Sequence, residues 1–263
     1  MSYGIAITTR NRSEWLKLLF NSIKEAPNCK SIVIVNDGLE YDWVPTGENV
    51  QYIVNPKNLG IAKSKNIGIK KLLEDNTIEY IFTIEDDIVV ENQEIFKKTI
   101  DSSLESGLPY FNFPAYSSGA GVPHNRTPIA SIVYSHITVD FFPNLSAVFS
   151  FFTRDILLKG GLYDEDFYNC LVDGEHIYRY SRMRCFPPFW YFPCISNIDD
   201  YISVIDGCEH RRQAASSDAE WTDMVQKSFS IFNEKYNIGV VDIKRVDIHE
   251  LKERLRFIYD QKN

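Results

Sequence analysis

Tyr80-Ile81-Phe82-Thr83-Ile84-Glu85-Asp86-Asp87-Ile88-Val89-Val90 is an apolar, β-branched run that breaks into three adjacent carboxylates and then resumes. The pattern predicts one buried strand that delivers acid groups at its end. Three neighbouring carboxylates repel and raise one another's pKa, so protons, basic side chains or a metal ion must balance them. Hard oxygen donors suit Mg2+ or Mn2+, ions that commonly hold phosphate oxygens as well. The plainer alternative is an acidic triplet facing water, and the flanking chain has to decide between the two.

Upstream, residues 4–9 form a short apolar strand ending at Thr8 and Thr9, followed by Arg10-Asn11-Arg12 and by Ser13 as the expected N-cap. Trp15, Leu18, Leu19 and Ile23 recur at helical spacing, which predicts a helix over 14–24. Apolar strands follow at 31–35, stopping at Asn36-Asp37-Gly38, and at 50–54, leading through Asn58 to a helix over 61–73. Continuous apolar strands alternating with helices imply an α/β fold whose parallel sheet is covered on both faces. Ligands of such sheets sit at the carboxyl ends of the strands. Thr8, Thr9, Asp37, Asn58 and the acidic triplet all fall at those ends.

Downstream, a helix is expected over 91–106, strands joined by long loops over 110–140, a strand over 146–153 and a short helix over 154–159. Gly160-Gly161-Leu162-Tyr163-Asp164 precedes a further helix over 173–183. The stretch 186–193 is rich in aromatics and prolines and reads as a loop or an edge strand. Helices follow over 220–236 and from about 247, the last with Ile248, Leu251, Leu255 and Ile258 along one stripe. The expected organisation is one domain over 1–215 and a C-terminal helical extension over 216–263 packed on it.

The 263 residues can bury a large core, and 44% hydrophobic with 24% charged content is that of a soluble globular protein. No long apolar span is present, so neither a signal peptide nor a membrane anchor is expected. Five scattered cysteines without a C-x-x-C pair argue for reduced thiols in the cytoplasm rather than disulfides or a zinc site. A net charge of -8 disfavours broad nucleic-acid binding.

Together these blocks resemble the family 2 type of inverting glycosyltransferases, which share the single-domain GT-A fold. The resemblance runs over about residues 3–212. Thr8-Thr9-Arg10-Asn11-Arg12 is similar to the family's opening block, and Asn36-Asp37-Gly38 to its second-strand aspartate, which contacts the nucleotide base. Asn58-Leu59-Gly60 and Ser64-Lys65-Asn66-Ile67-Gly68 resemble the next block, with Lys65 where arginine is more usual. Glu85-Asp86-Asp87 stands in the place of the metal motif, with Glu85 for the usual first aspartate. Gly160-Gly161-Leu162-Tyr163-Asp164-Glu165-Asp166-Phe167 looks like the family's Gly-Gly turn. The acidic helix that ends in an arginine matches Val172-Asp173-Gly174-Glu175 through Arg179, with Val172 where glutamate is common.

The resemblance implies a GT-A fold: a single mixed, mainly parallel sheet flanked by helices, with a Rossmann-like nucleotide-binding half. It implies a metal-dependent, inverting transfer from a nucleotide-diphosphate sugar, a UDP-sugar being expected, to an acceptor hydroxyl. The acceptor would be a glycan or a modified nucleobase in DNA. Thr8, Thr9, Arg10, Arg12, Asp37, Asn58, Lys65, Asp86, Arg211 and Arg212 would bind the donor. Asp87 and the late His210 would hold Mn2+ or Mg2+, imidazole in the shell favouring Mn2+. Asp173 would be the base, with Glu175 as fallback, and Tyr163, Arg179 and Trp190 would touch the acceptor.

Each assignment has a plainer counterpart. Asp173 suits a helix N-cap, Glu175 and Arg179 can pair four apart on a helix, and the aromatics of 186–193 can be packing. A sugar nucleotidyltransferase is the nearest rival, but a Gly-rich phosphate loop would then follow strand one, where this chain has Thr-Thr-Arg-Asn-Arg. A non-catalytic carbohydrate-binding protein of the same fold is the other.

Overall fold

Tyr3–Thr9 (β1) buries all seven of its residues, so it needs cover on both faces and a strand on each side. The computed structural model describes residues 1–114, 127–205 and 217–262. It sets β1 inside a six-stranded sheet with Cys29–Asn36 (β2), Val50–Val54 (β3), Tyr80–Glu85 (β4), Tyr110–Phe113 (β6) and Ser146–Thr153 (β9). The strand order is β3-β2-β1-β4-β9-β6. The four strands from β3 to β4 run parallel, and β9 is antiparallel to both β4 and β6.

Alternate residues of these strands build two apolar layers. Ile5, Ile7, Phe82 and Ile84 face Leu16 and Leu19 of Ser13–Ile23 (α1), and Ile95 and Phe96 of Glu94–Ser106 (α3). On the other face Ala6, Val33, Val35 and Ile81 meet Ile69 and Leu72 of Ile61–Leu73 (α2). Here α2 lies unusually close to β1, because a Cβ on Gly68 would stand 2.9 Å from the Ala6 Cβ.

Arg154–Gly160 (α4) and Val172–Ser181 (α5) follow β9. Of the C-terminal helices, Asp218–Tyr236 (α6) adds Phe232 to the second layer, and Ile248–Lys262 (α7) adds Leu251, Leu255 and Ile258 to the first. No described helix is long and apolar enough to cross a membrane.

Several boundaries differ from the sequence expectation. The acidic stretch is two strands, because the chain turns at Asp86 and Asp87; Ile88–Val90 (β5) leaves the main sheet and pairs with Ile202–Val204 (β11). The N-cap of α1 is Arg12, without a side-chain bond, rather than Ser13. The last helix is capped by Asp247, which accepts from the Glu250 N–H, and Ile248 is 44% exposed and outside the buried stripe. Phe192–Ile195 (β10) is an edge strand of a small sheet with Thr138–Phe142 (β8) and Ala130–Val133 (β7), where Pro193 is tolerated.

His176 of α5 is fully buried, its ring 4.2 Å from that of Tyr163 and 4.3 Å from that of Tyr180. Burial first, and Arg179 second, push its pKa down to about 3. An unfolded histidine titrates near 6.5, so His176 costs nothing above that pH and destabilises the fold progressively as pH falls towards 3. By linkage the loss at pH 5 is about 2 kcal/mol. His176→Phe keeps the ring stack, and the Gly161 carbonyl still accepts from the Tyr180 hydroxyl. Chemical denaturation at pH 8 and pH 5 is therefore expected to show this acid-sensitive part in the wild type and not in the variant.

Candidate active site

The strand order reverses at β1, with β2 and β3 on one side and β4 on the other, so the connections diverge and leave a crevice at the carboxyl ends. Thr8 lies in register with Glu85 across that divide. The crevice is lined by Thr8, Thr9, Arg10, Arg12, Asp37 and Asp86 of the expected donor set.

Asp37 is held where β2 ends. Its Oδ1 accepts from Asn55 Nδ2 and the Leu59 N–H, both at 2.7 Å, and its Oδ2 accepts from the Gly60 N–H at 2.9 Å. Asn58 shapes the same loop, accepting from the Gly60 N–H at 3.1 Å. Gly60 has φ of 87° and lies against the ring of Tyr168, a position that a side chain could not occupy.

The acidic turn is neutralised unevenly. Asp86 accepts from Thr9 Oγ1 at 2.6 Å and from Arg12 Nη1 at 2.9 Å, and Tyr41 braces this pair by bonding both Thr9 Oγ1 and the Arg12 N–H. Asp87 is 6% exposed, stands 3.9 Å from Arg12 Nη1, and leaves Oδ1 buried without a hydrogen-bond partner. Burial first, then the charges of Glu85 and Asp86, raise the Asp87 pKa well above the carboxylate range. Burial also raises that of Asp86, against the pull of Arg12. A divalent cation fits an orphaned, buried carboxylate oxygen of this kind. Among the described residues no group of three His, Cys, Asp or Glu is assembled to hold one; His210, Arg211 and Arg212 lie outside the described residues.

Lys65 does not line the crevice. Its Nζ is buried beneath it, 2.9 Å from Glu85 Oε1 and 3.1 and 3.4 Å from the two oxygens of Asp173. Burial alone would lower the ammonium pKa, but Asp173 and Glu85 outweigh it and hold it above its ordinary value. Asp173, in the first turn of α5, keeps 14% of its side chain exposed. It is not the N-cap, which is Leu171 in the left-handed region. Burial raises the Asp173 pKa, with Lys65 opposing.

The profile of the family described as glycosyl transferase family 2 matches residues 4–153, more than half of the chain. The chain belongs to glycosyl transferase family 2. No curated protein sequence matches it. Among solved structures, S. aureus TarS aligns at 15% identity and a TM-score of 0.55, covering 95% of this chain and 46% of TarS. The chain thus spans about half the length of that relative. TarS 1-349 in complex with UDP-GlcNAc aligns at 15% identity and a TM-score of 0.53, covering 100% of this chain and 80% of that one. The mannosyltransferase PcManGT from Pyrobaculum calidifontis, in complex with GDP-Man and Mn2+, aligns at 10% identity and a TM-score of 0.57, covering 99% and 72%. At such identities the likeness establishes the fold, which is the GT-A arrangement.

In this family 2 chain several expected site residues serve structure instead. Glu175 is fully buried, and its oxygens take Arg179 Nε at 3.1 Å, Lys235 Nζ at 3.0 Å and the Tyr236 hydroxyl. With no access to solvent it cannot serve as the fallback base. Arg179 is spent on Glu175 and on the carbonyls of Gly160 and Leu162. Tyr163 is 3% exposed, and Trp190 Nε1 donates to the Ile243 carbonyl at 2.6 Å. None of these three lines the crevice.

Ile61, Ser64 and Asn169 do line it and were not singled out as site residues. Ser64 lay inside a recognised block, whereas Asn169 had no signal beyond its nearness to the Gly-Gly turn. Glu175→Ala leaves Lys235 and Arg179 without their buried counter-charge and is expected to cost about 3 kcal/mol. Thermal melting would read this as a lower Tm, while nucleotide affinity of the folded protein stays unchanged.

Proposed function

We propose that the chain is a metal-dependent, inverting glycosyltransferase that moves a sugar from a nucleoside-diphosphate sugar to an acceptor hydroxyl, with Asp173 as base. The observation that carries this reading is the crevice at the switch point, with Arg10, Arg12 and Asp37 lining it and a partly exposed carboxylate, Asp173, bridged by Lys65 to Glu85 of that lining. UDP is the favoured nucleotide. Asp37 Oδ2 accepts one hydrogen bond in the fold and has a lone pair left for the imide N–H of uracil, which cytosine lacks. Arg10 and Arg12 would meet the diphosphate, with Arg211 and Arg212 as further candidates.

Asp173 would take the acceptor hydroxyl proton while that oxygen attacks the anomeric carbon and the bond to the diphosphate breaks, inverting the centre. Asp87, with His210, would hold Mn2+ or Mg2+, whose role is to neutralise the departing diphosphate. The Ile205 N–H donates to the Asp87 carbonyl at 2.8 Å, so the last residue described before His210 stands beside that turn. A glycan is the preferred acceptor over a modified DNA base, given the net charge of -8. Four free cysteines among the described residues support the cytoplasmic reading.

Calorimetry is expected to show UDP bound more tightly than CDP, and Asp87→Ala to remove the dependence of UDP affinity on Mn2+. Unchanged affinity in the presence of a chelator would sink the metal assignment. Asp173→Asn should lower turnover on the order of a hundredfold or more with UDP affinity intact. A variant that turns over at the wild-type rate would exclude Asp173 as the base.

A further inference from the structure

Lys65 spends its charge in an unusual way. An ammonium has three N–H donors, and its neighbours within 3.4 Å are one oxygen of Glu85 and both oxygens of Asp173. Its Nζ also stands 5.3 Å from the Tyr163 ring, and the residue is 1% exposed. The side chain does not line the crevice and its hydrogen bonds go to Asp173, so the sequence expectation of donor binding does not suit it. The contact instead joins two distant places, since Lys65 and Asp173 are 108 residues apart. Glu85 ends β4, one residue before the acidic turn, and Asp173 opens α5.

Two of the three positions at which this chain departs from the family's blocks, Lys65 and Glu85, are the partners of one ion pair; the third is Val172. Lysine is one bond shorter than arginine, and glutamate is one methylene longer than aspartate. The two departures therefore compensate in length, and the pair closes at 2.9 Å. A lysine ammonium, unlike a guanidinium fork, is a compact point charge that can donate to both oxygens of Asp173 while standing beside Glu85.

We propose that Lys65, anchored by Glu85, is a positioning residue that fastens the Asp173 carboxylate to the end of β4. The strand that carries the acidic turn thereby sets where the base stands relative to the donor. This inference rests on Asp173 being the base of the glycosyl transfer. The tether itself is a property of the fold and can be read without turnover.

The experiment follows the Asp173 side-chain carboxyl by carbon NMR through a pH titration, assigned with Asp173→Asn. Lys65→Met is expected to raise its midpoint by about 1 to 3 pH units, and Glu85→Gln to lower it, because a neighbouring negative charge is removed while the anchor oxygen remains. The double variant K65R/E85D, which restores the more usual pairing, is expected to titrate like the wild type, whereas Lys65→Arg and Glu85→Asp alone are not. In parallel, UDP-GlcNAc cleavage with water as acceptor and UDP calorimetry separate turnover from binding. Lys65→Met should lose on the order of tenfold to a hundredfold in turnover, with UDP affinity within about twofold.

An Asp173 titration that ignores both Lys65→Met and Glu85→Gln overturns the tether, as does a Lys65→Met variant that loses UDP affinity instead of turnover. If Lys65→Met does not fold, Glu85→Gln and K65R/E85D decide the same question. A wild-type protein that neither binds UDP nor cleaves a UDP-sugar overturns the glycosyl-transfer reading, and the titration still rules on the tether.

Discussion

Charge balance in a poorly solvated place governs this molecule. Glu85, Asp86, Asp87 and Asp173 approach one another at the end of β4, where the effective dielectric is low and like charges repel strongly. The fold answers with Lys65 between Glu85 and Asp173 and with Arg12 on Asp86, leaving Asp87 Oδ1 without a partner. Each cation arrives from a different element, Arg12 from the start of α1 and Lys65 from the middle of α2. The packing of both helices on the sheet is thus tied to the electrostatics of the crevice.

A second charge cluster does the opposite job. Glu175, Arg179, Lys235 and Tyr236 pair among themselves, with Asp164 also bound to Lys235. The group joins α5 to α6 and to the Gly160-Gly161 turn, so the helix that carries Asp173 is held both to the turn before it and to a helix some 60 residues on. Satisfied internally and sealed from solvent at Glu175, these charges confer rigidity rather than chemistry.

Much of the fold was legible because its signals are local. Continuous apolar strands such as 31–35, helical spacing in α1 and α2, and hydroxyl or carboxylate residues at strand ends each carry their meaning within about ten residues. The crevice was legible for the same reason, since a parallel sheet turns strand ends into a site. What stayed hidden depends on partners far apart in sequence. Nothing around Lys65 shows that it meets Asp173, and Glu175 could not be read as sealed until α6 supplied Lys235 and Tyr236, some 60 residues on. Arg179 showed its local pair with Glu175 but not its hold on the carbonyls of Gly160 and Leu162. The turn at Asp86 and Asp87 was missed because hydropathy sees an apolar run resume and does not see that it resumes in another sheet.

The closeness of α2 to β1 at Gly68 has a reach beyond packing. Gly68 and Lys65 share one face of the helix, three residues apart, so the depth at which the glycine lets α2 settle is also the depth from which the lysine spans to Glu85. A residue with a side chain at 68 would lift the helix by a fraction of an ångström and lengthen that span while touching nothing in the crevice. Position 68 is therefore a hidden focusing screw. Variation there would change the reach of Lys65 while leaving every crevice-lining residue in place, and a laboratory search confined to those residues would pass it by.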